Sequence, residues 1–187
     1  VVYYPYGSIS INYENFFLLF KKNELFSSYI LGKLIKNVGG NNFLPRKLKL
    51  IKNLRDLFNG KLNKFTINNV VIFTKSKCIN LIRENRNIEY ELAIVKNKIS
   101  FFDNRFLILS NFDGTIVSNN CLNVMNDFDN NKLTSKSYKY INCTIPNLKT
   151  LEGKLIKPYL YIIDHKNINY NLKIKSNFDL IFIKGKN

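Results

Sequence analysis

The feature that most constrains this chain is a change of hydrophobic period near Gly60. Ahead of it, apolar residues recur at spacings of three and four, the signature of one helix face. Phe26, Ile30 and Leu34 form one row, and Leu31, Ile35 and Val38 its neighbour. Leu50, Ile51, Leu54, Leu57 and Phe58 fall on one side of a second helix. From Phe65 onward the apolar residues come instead in short runs rich in Val, Ile and Phe. Runs of that length, separated by turn residues, read as strands. Helices first and strands afterwards predict an α+β fold with mostly antiparallel pairing. The expected division is a helical subdomain over residues 1–60 and a β-rich subdomain over residues 61–187.

Punctuation agrees with this division. Asn12 is placed to cap a helix whose first turn carries Glu14. Gly39-Gly40 stops the helix over Asn23–Val38, where a left-handed residue is wanted. Pro45 suits the first position of the next helix, which Gly60 ends. Phe65–Thr74 and Cys78–Arg83 predict a hairpin across Lys75-Ser76-Lys77. Further strands are expected at Leu92–Val95, Ile99–Phe102, Arg105–Leu109, Tyr140–Thr144, Leu155–Ile163, Tyr170–Lys175 and Leu180–Lys184. Asn126–Ser137 is polar and reads as a loop.

Charge narrows the partners. Lys and Arg number 29 against 13 acids, a formal net charge of +16. Such a chain attracts polyanions, nucleic acid first and an anionic surface second. The 30 Asn and the single Ala point to A/T-rich codons, so part of the lysine content is compositional. No apolar run approaches the length that crosses a bilayer, and no membrane partner is expected. Residues 1–11 lack the basic start and small-residue cleavage site of a signal peptide. Cys78, Cys121 and Cys143 are odd in number and far apart, which fits buried thiols in a reducing compartment and not a disulfide scaffold. One histidine, His165, and no CxxC pair leave no basis for a Cys/His zinc site. The chain opens on Val1, as a piece of a longer protein or a gene with an unusual start would.

The densest cationic stripe is Arg46, Lys47, Lys49, Lys52 and Arg55, with Asp56 as its one acid. It reads either as phosphate contacts along RNA or as a solvated helix face. Arg83 and Arg86, around Glu84, are candidates for RNA backbone contact or for a surface ion network. Asp103 and Arg105 flank a tight turn and read as structural. Phe101, Phe102 and Phe106 read as core. His165 beside Asp164 has no nucleophile with a catalytic pattern, and Glu89 with Glu91 lack a metal pattern, so no catalytic, cofactor-binding or metal-binding residue is assigned.

Four blocks, in order, resemble the C-terminal half of tRNA(Ile)-lysidine synthases of the alphaproteobacterial and mitochondrial type. The first is Tyr6-Gly7-Ser8-Ile9-Ser10-Ile11-Asn12, followed by Val38-Gly39-Gly40 and Leu44-Pro45-Arg46. It is similar to the family's helical segment with its Gly-Gly and Pro-Pro-Arg junction, Leu44 standing for the first proline. The second is Phe65-Thr66-Ile67-Asn68-Asn69, similar to a Thr-Leu-Gly-Gly strand, followed by Arg83-Glu84. The third is Phe102-Asp103-Asn104-Arg105-Phe106, close to Trp-Asp-x-Arg-Phe. The fourth is Ile145-Pro146 with Glu152-Gly153 and Pro158.

The resemblance implies an ATP-dependent ligase that modifies tRNA, in the bacterial cytoplasm or the mitochondrial matrix. The full enzyme would use ATP, with Mg, to adenylate the wobble cytidine of an isoleucine tRNA, and the ε-amine of lysine would then displace AMP to give lysidine. The family's Ser-Gly-Gly-x-Asp-Ser loop, which cradles ATP phosphates, is not in this chain, and Gly39-Gly40-Asn41 does not fit it. No cofactor is therefore expected on this chain itself. Its expected partners are tRNA and a catalytic N-terminal domain, in cis or on a separate chain. The alternative is a non-enzymatic basic RNA-binding protein of an A/T-rich organellar or bacterial genome, which the reading frame upstream of Val1 would distinguish.

Overall fold

The computed structural model describes residues 1–4, 7–86, 88, 91–110, 113–118, 144–149, 155–156 and 172–176. They fold as α+β, with helices near the N-terminus and antiparallel strands after them. The chain divides into two compact units, Val1–Glu84 and Asn85–Asn187. Among the described residues no helix is long and apolar enough to cross a membrane.

The first unit begins with strands, which the helical reading of the first third does not anticipate. β1 (Val2–Tyr4) and β2 (Ser8–Asn12) form a hairpin, and β2 then pairs with a strand some seventy residues away. Asn12 ends β2 and caps α1 (Tyr13–Lys22), its side chain accepting from the Asn15 N–H at 2.9 Å. Asn23 repeats the device for α2 (Glu24–Val38), accepting from the Phe26 N–H at 3.0 Å. α3 (Lys47–Phe58) begins later than the proline signal implies, since Arg46 and not Pro45 is the residue next to its first turn. β3 (Lys64–Ile67), β4 (Val70–Lys75) and β5 (Cys78–Arg83) complete the sheet in the order β1-β2-β5-β4-β3. The texture change at Gly60 marks the passage from helix to strand, but these three strands share a sheet with β2, so the units separate only after Glu84.

Register explains which face is buried. Ile9 pairs with Leu81, Ile11 with Ile79, Ile72 with both Leu81 and Phe65, and Val70 with Ile67. All eight are buried, on the one sheet face that α1, α2 and α3 pack against. The buried stripe of α2 is Ser27, Leu31, Leu34, Ile35 and Val38, with Ser28 and Gly32 beside it. Phe26, expected inside, is 52% exposed, because the small residues Ser28 and Gly32 face the neighbours. At the other end Phe58 joins α3 to α1, its ring centroid 5.0 Å from that of Phe17 and 5.1 Å from that of Phe20.

One joint ties helices to sheet. The run Phe65–Thr74, expected as a single strand, is broken by Asn68 (φ 45°) and Asn69 (φ 58°) into a two-residue hairpin turn. Both residues are in the left-handed region, where Asn is tolerated better than most residues. The Asn41 side-chain amide donates to the Asn68 carbonyl at 2.6 Å, and Asn69 Nδ2 donates to Asn41 Oδ1 at 3.2 Å. Asn68 Nδ2 donates to the Phe43 carbonyl at 3.4 Å. Gly39 ends α2 with ordinary φ (−81°), while Gly40 (φ 62°) is the left-handed residue. Gly39 lacks a side chain for a different reason: a methyl there would overlap the Asn68 carbonyl oxygen and the Asn41 amide.

In the second unit β6 (Glu91–Ile94), β7 (Ile99–Phe102), β8 (Phe106–Ser110), β9 (Gly114–Ser118), β10 (Pro146–Lys149), β11 (Leu155–Ile156) and β12 (Leu172–Ser176) form two antiparallel sheets, β11-β10-β9-β6 and β12-β8-β7. β9 and β10 are additions to the strands expected from the sequence. Phe102 and Phe106 are buried, whereas Phe101 is 55% exposed, because alternate residues of β7 point to opposite faces. Asp103 (φ 50°) and Asn104 (φ 51°) make the β7–β8 turn. Arg105, 2% exposed, donates from Nε to Asp103 Oδ2 at 2.6 Å and from Nη2 to the Thr144 carbonyl, just ahead of β10. The guanidinium thus fastens the turn of one sheet to the start of a strand in the other. Outside the described residues lie Glu89, Cys121, Cys143 and His165, the loop expected over Asn126–Ser137 and the strand expected at Leu180–Lys184. So do most of the strands expected at Tyr140–Thr144 and Leu155–Ile163.

Three substitutions test these joints by urea unfolding of the full chain. Gly39→Ala is expected to cost about 2–3 kcal/mol through overpacking. Gly60→Ala, with open space around it but φ at +71°, is expected to cost only about 1 kcal/mol. Asp103→Ala, which leaves the Arg105 guanidinium buried without its carboxylate, is expected to cost about 3–5 kcal/mol.

Candidate nucleic-acid interface

The sequence stripe maps onto the outer side of α3. Leu50, Ile51, Leu54 and Leu57 turn inward, so Arg46, Lys47, Lys49, Lys52 and Arg55 are all exposed. Three of these cations, Arg46, Lys47 and Lys49, stand at the start of the helix. That end has no side-chain cap hydrogen bond and no acid in its first turn. Cations there oppose the positive end of the helix dipole, so the arrangement does not serve the helix itself.

Arg55 differs from the others. It donates from Nε to Glu24 Oε1 at 2.9 Å and from Nη2 to Glu24 Oε2 at 2.6 Å, a paired fork across α2 and α3. These hydrogen bonds hold the Glu24 carboxyl below its ordinary range, against a weaker opposing effect of desolvation, and raise Arg55 correspondingly. The pair engages the charge of Arg55 within the protein, leaving Arg46, Lys47, Lys49 and Lys52 as the outward-facing set. Arg83 leaves the candidate interface altogether. It is 3% exposed, and its Nη1 donates to the Asn69 carbonyl at 3.3 Å and to the Glu84 carbonyl at 3.1 Å. A strand-end arginine reads as exposed in sequence, but Arg83 pairs with Val70 on the buried face. Arg86 is exposed and belongs to the second unit.

The structure adds groups that spacing alone does not single out. α2 and α3 run antiparallel, tied at one end by Glu24 and Arg55 and at the other by Gly32, against which Pro45 and Leu44 rest. Residues three, four and seven apart on a helix share a face. Leu25 and Tyr29, seven and three residues before Gly32, therefore continue its row on α2, and Leu48 stands in the first turn of α3. Leu25, Tyr29, Leu44 and Leu48 are all exposed. The Lys33 ammonium stands 4.8 Å from the Tyr29 ring centroid, and Lys21 stands 4.5 Å from that of Phe17. Gly32 in mid-helix is the signal the sequence offers: a side chain there would begin 3.6–3.9 Å from Pro45 and Leu44, in ordinary contact with the segment that leads into α3.

Among the described residues no group of three or more His, Cys, Asp and Glu side chains is placed to hold a metal ion. The space beside Gly39 is filled by the Asn68 carbonyl oxygen and the Asn41 amide. Cys78 is a half-buried free thiol. No family model matches this chain, and no curated protein or solved structure is significantly similar to it.

The Glu24–Arg55 pair gives a pH test. Because the folded carboxyl titrates below its unfolded value, its contribution to stability is complete above the ordinary glutamate range and is lost as pH falls through the folded value. NMR titration is expected to place Glu24 below the ordinary glutamate range, and Arg55→Gln is expected to return it upward.

Proposed function

We propose that this chain is the tRNA-gripping C-terminal portion of a tRNA(Ile)-lysidine synthase, acting in the bacterial cytoplasm or the mitochondrial matrix. The observation that carries the RNA part of this reading is the outward cationic face of α3, where Arg46, Lys47, Lys49 and Lys52 are exposed around an uncapped helix start. Such a face meets phosphates along a folded RNA and releases their condensed counterions.

In the fold, the blocks on which the family reading rests meet in pairs. The Gly39-Gly40 block is clipped to the Asn68-Asn69 block, and the Asp103–Phe106 block is fastened beside Ile145-Pro146. Asn68 and Asn69 replace two glycines of the pattern, but both occupy left-handed positions that glycine and asparagine share. The departure is conservative in backbone terms.

In this reading the chain positions tRNA and does no bond-making. Adenylation of the wobble cytidine and attack by lysine belong to a catalytic domain, in cis or on a separate chain, which would also hold ATP and Mg. What α3 supplies is orientation: a bound tRNA body held so that its anticodon meets that domain.

Binding of purified chain to tRNA is expected to weaken steeply between low and moderate salt. The triple variant Arg46→Glu, Lys49→Glu, Lys52→Glu is expected to lose at least about tenfold in affinity, with a log–log salt slope shallower by about 2–3. The same variant places acids at the start of α3 and is expected to melt no lower than the wild type. Unchanged affinity would remove α3 from the interface.

A further inference from the structure

A lone exposed ring is ordinary on a protein surface. Phe43 is unusual in how it is held. Its ring is 81% exposed, yet its backbone is pinned on both sides. The Asn68 side chain donates to the Phe43 carbonyl, and Asn41 ahead of it bonds both residues of the β3–β4 turn. Behind it Leu44 and Pro45 rest on Gly32, 3.6–3.9 Å from where a side chain would begin. The joint that ties α2 to the β3–β4 turn thereby also fixes where this ring is presented. A loop that presents a ring to a ligand gains from such bracing, because the ordering cost falls before binding and not during it.

The surroundings define the ligand. Arg46 and Lys47 follow Phe43 in the chain and are exposed. Across the hairpin Tyr29 is 50% exposed and carries the Lys33 ammonium over its ring. The acids of this hairpin, Glu24 and Asp56, lie toward its opposite end, and Glu24 is engaged by Arg55. Rings beside cations, without carboxylates, suit stacked bases with phosphates alongside. A second copy of this chain would bring like charge against it.

We propose that Phe43 is a stacking platform for an unpaired nucleobase, with Arg46 and Lys47 on the flanking phosphates and Tyr29 as a second ring. This end of the α2–α3 hairpin then takes a single-stranded stretch of RNA, a loop or an end, and not duplex. The proposal rests on the RNA-binding reading and adds the class of RNA that the site selects.

The test uses the full chain and a fluorescein-labelled 12-nucleotide RNA, alone and annealed to its complement, in polarisation titrations. Phe43→Ala is expected to weaken single-strand binding about tenfold and to leave duplex binding nearly unchanged. Phe43→Tyr is expected to restore it and Phe43→Leu is not. Wild-type protein is expected to quench 2-aminopurine placed in the single strand, and Phe43→Ala to abolish the quenching. If Leu restores binding as well as Tyr, the position serves apolar contact, as for a protein partner, and the proposal fails. It fails too if Phe43→Ala affects both RNAs equally or neither, while salt-dependent binding persists. Absence of binding to either RNA would overturn the RNA-binding reading itself.

Discussion

The first unit depends on a backbone carbonyl meeting a glycine. The Asn68 carbonyl lies where a side chain on Gly39 would be, and the Asn41 amide donates to it. This contact fixes where α2 ends relative to the sheet, hence where the linker to α3 runs and which way α3 faces. Arg83 reinforces it from below by donating to the Asn69 carbonyl, and the Glu84 N–H donates to the same oxygen at 2.7 Å. The side chains of Asn41, Asn68, Asn69 and Arg83 and both turn carbonyls are thus engaged around one two-residue turn. Arg83, the buried member of this set, would cost more if left unmatched than a typical hydrogen bond returns. The turn is therefore a joint with little freedom to rearrange, and the cationic face and the pinned ring both inherit their positions from it.

What the sequence makes legible follows from what is local. The caps at Asn12 and Asn23 and the stops at Gly40 and Gly60 are short-range hydrogen-bond and φ constraints, written within a few residues. The inward row of α3 is readable for the same reason. The strands β1 and β2 are not, because β2 is stabilised by pairing with Cys78–Leu81, far away in the chain. The split of Phe65–Thr74 is hidden by its apolar continuity, although Asn68-Asn69 is a turn signal in plain view. Burial of Arg83 is beyond local reading, since only the sheet register assigns it to the inner face.

The blocks on which the proposed family reading rests are joints. Gly39-Gly40, Asn68-Asn69, Asp103–Arg105 and the segment at Thr144–Pro146 all hold elements together. Residues with demanding geometry make recognisable patterns, because few substitutions satisfy a left-handed φ or a buried guanidinium. A surface that grips phosphates asks only for positive charge at roughly the right place, and leaves a weaker trace. A chain of this kind therefore displays its architecture in its motifs, and the phosphate contacts proposed for it would be written in the placement of its lysines.

Placement is also what separates selected charge from compositional charge. An A/T-rich gene scatters lysine wherever solvent permits, and a net charge of +16 alone does not choose between the two origins. Scattered lysines would, however, be indifferent to the helix dipole or drift toward helix C-termini, where Lys21, Lys22 and Lys36 of α1 and α2 do lie. α1 and α2 also follow the rule at their other ends, with an asparagine cap and Glu14 or Glu24 in the first turn. α3 reverses it: no cap bond, no acid, and Arg46, Lys47 and Lys49 at the positive end. Within one unit of one chain, codon bias acts equally on all three helices and does not produce that contrast. A polyanion at α3, as proposed above, would supply the negative charge that the helix start otherwise lacks.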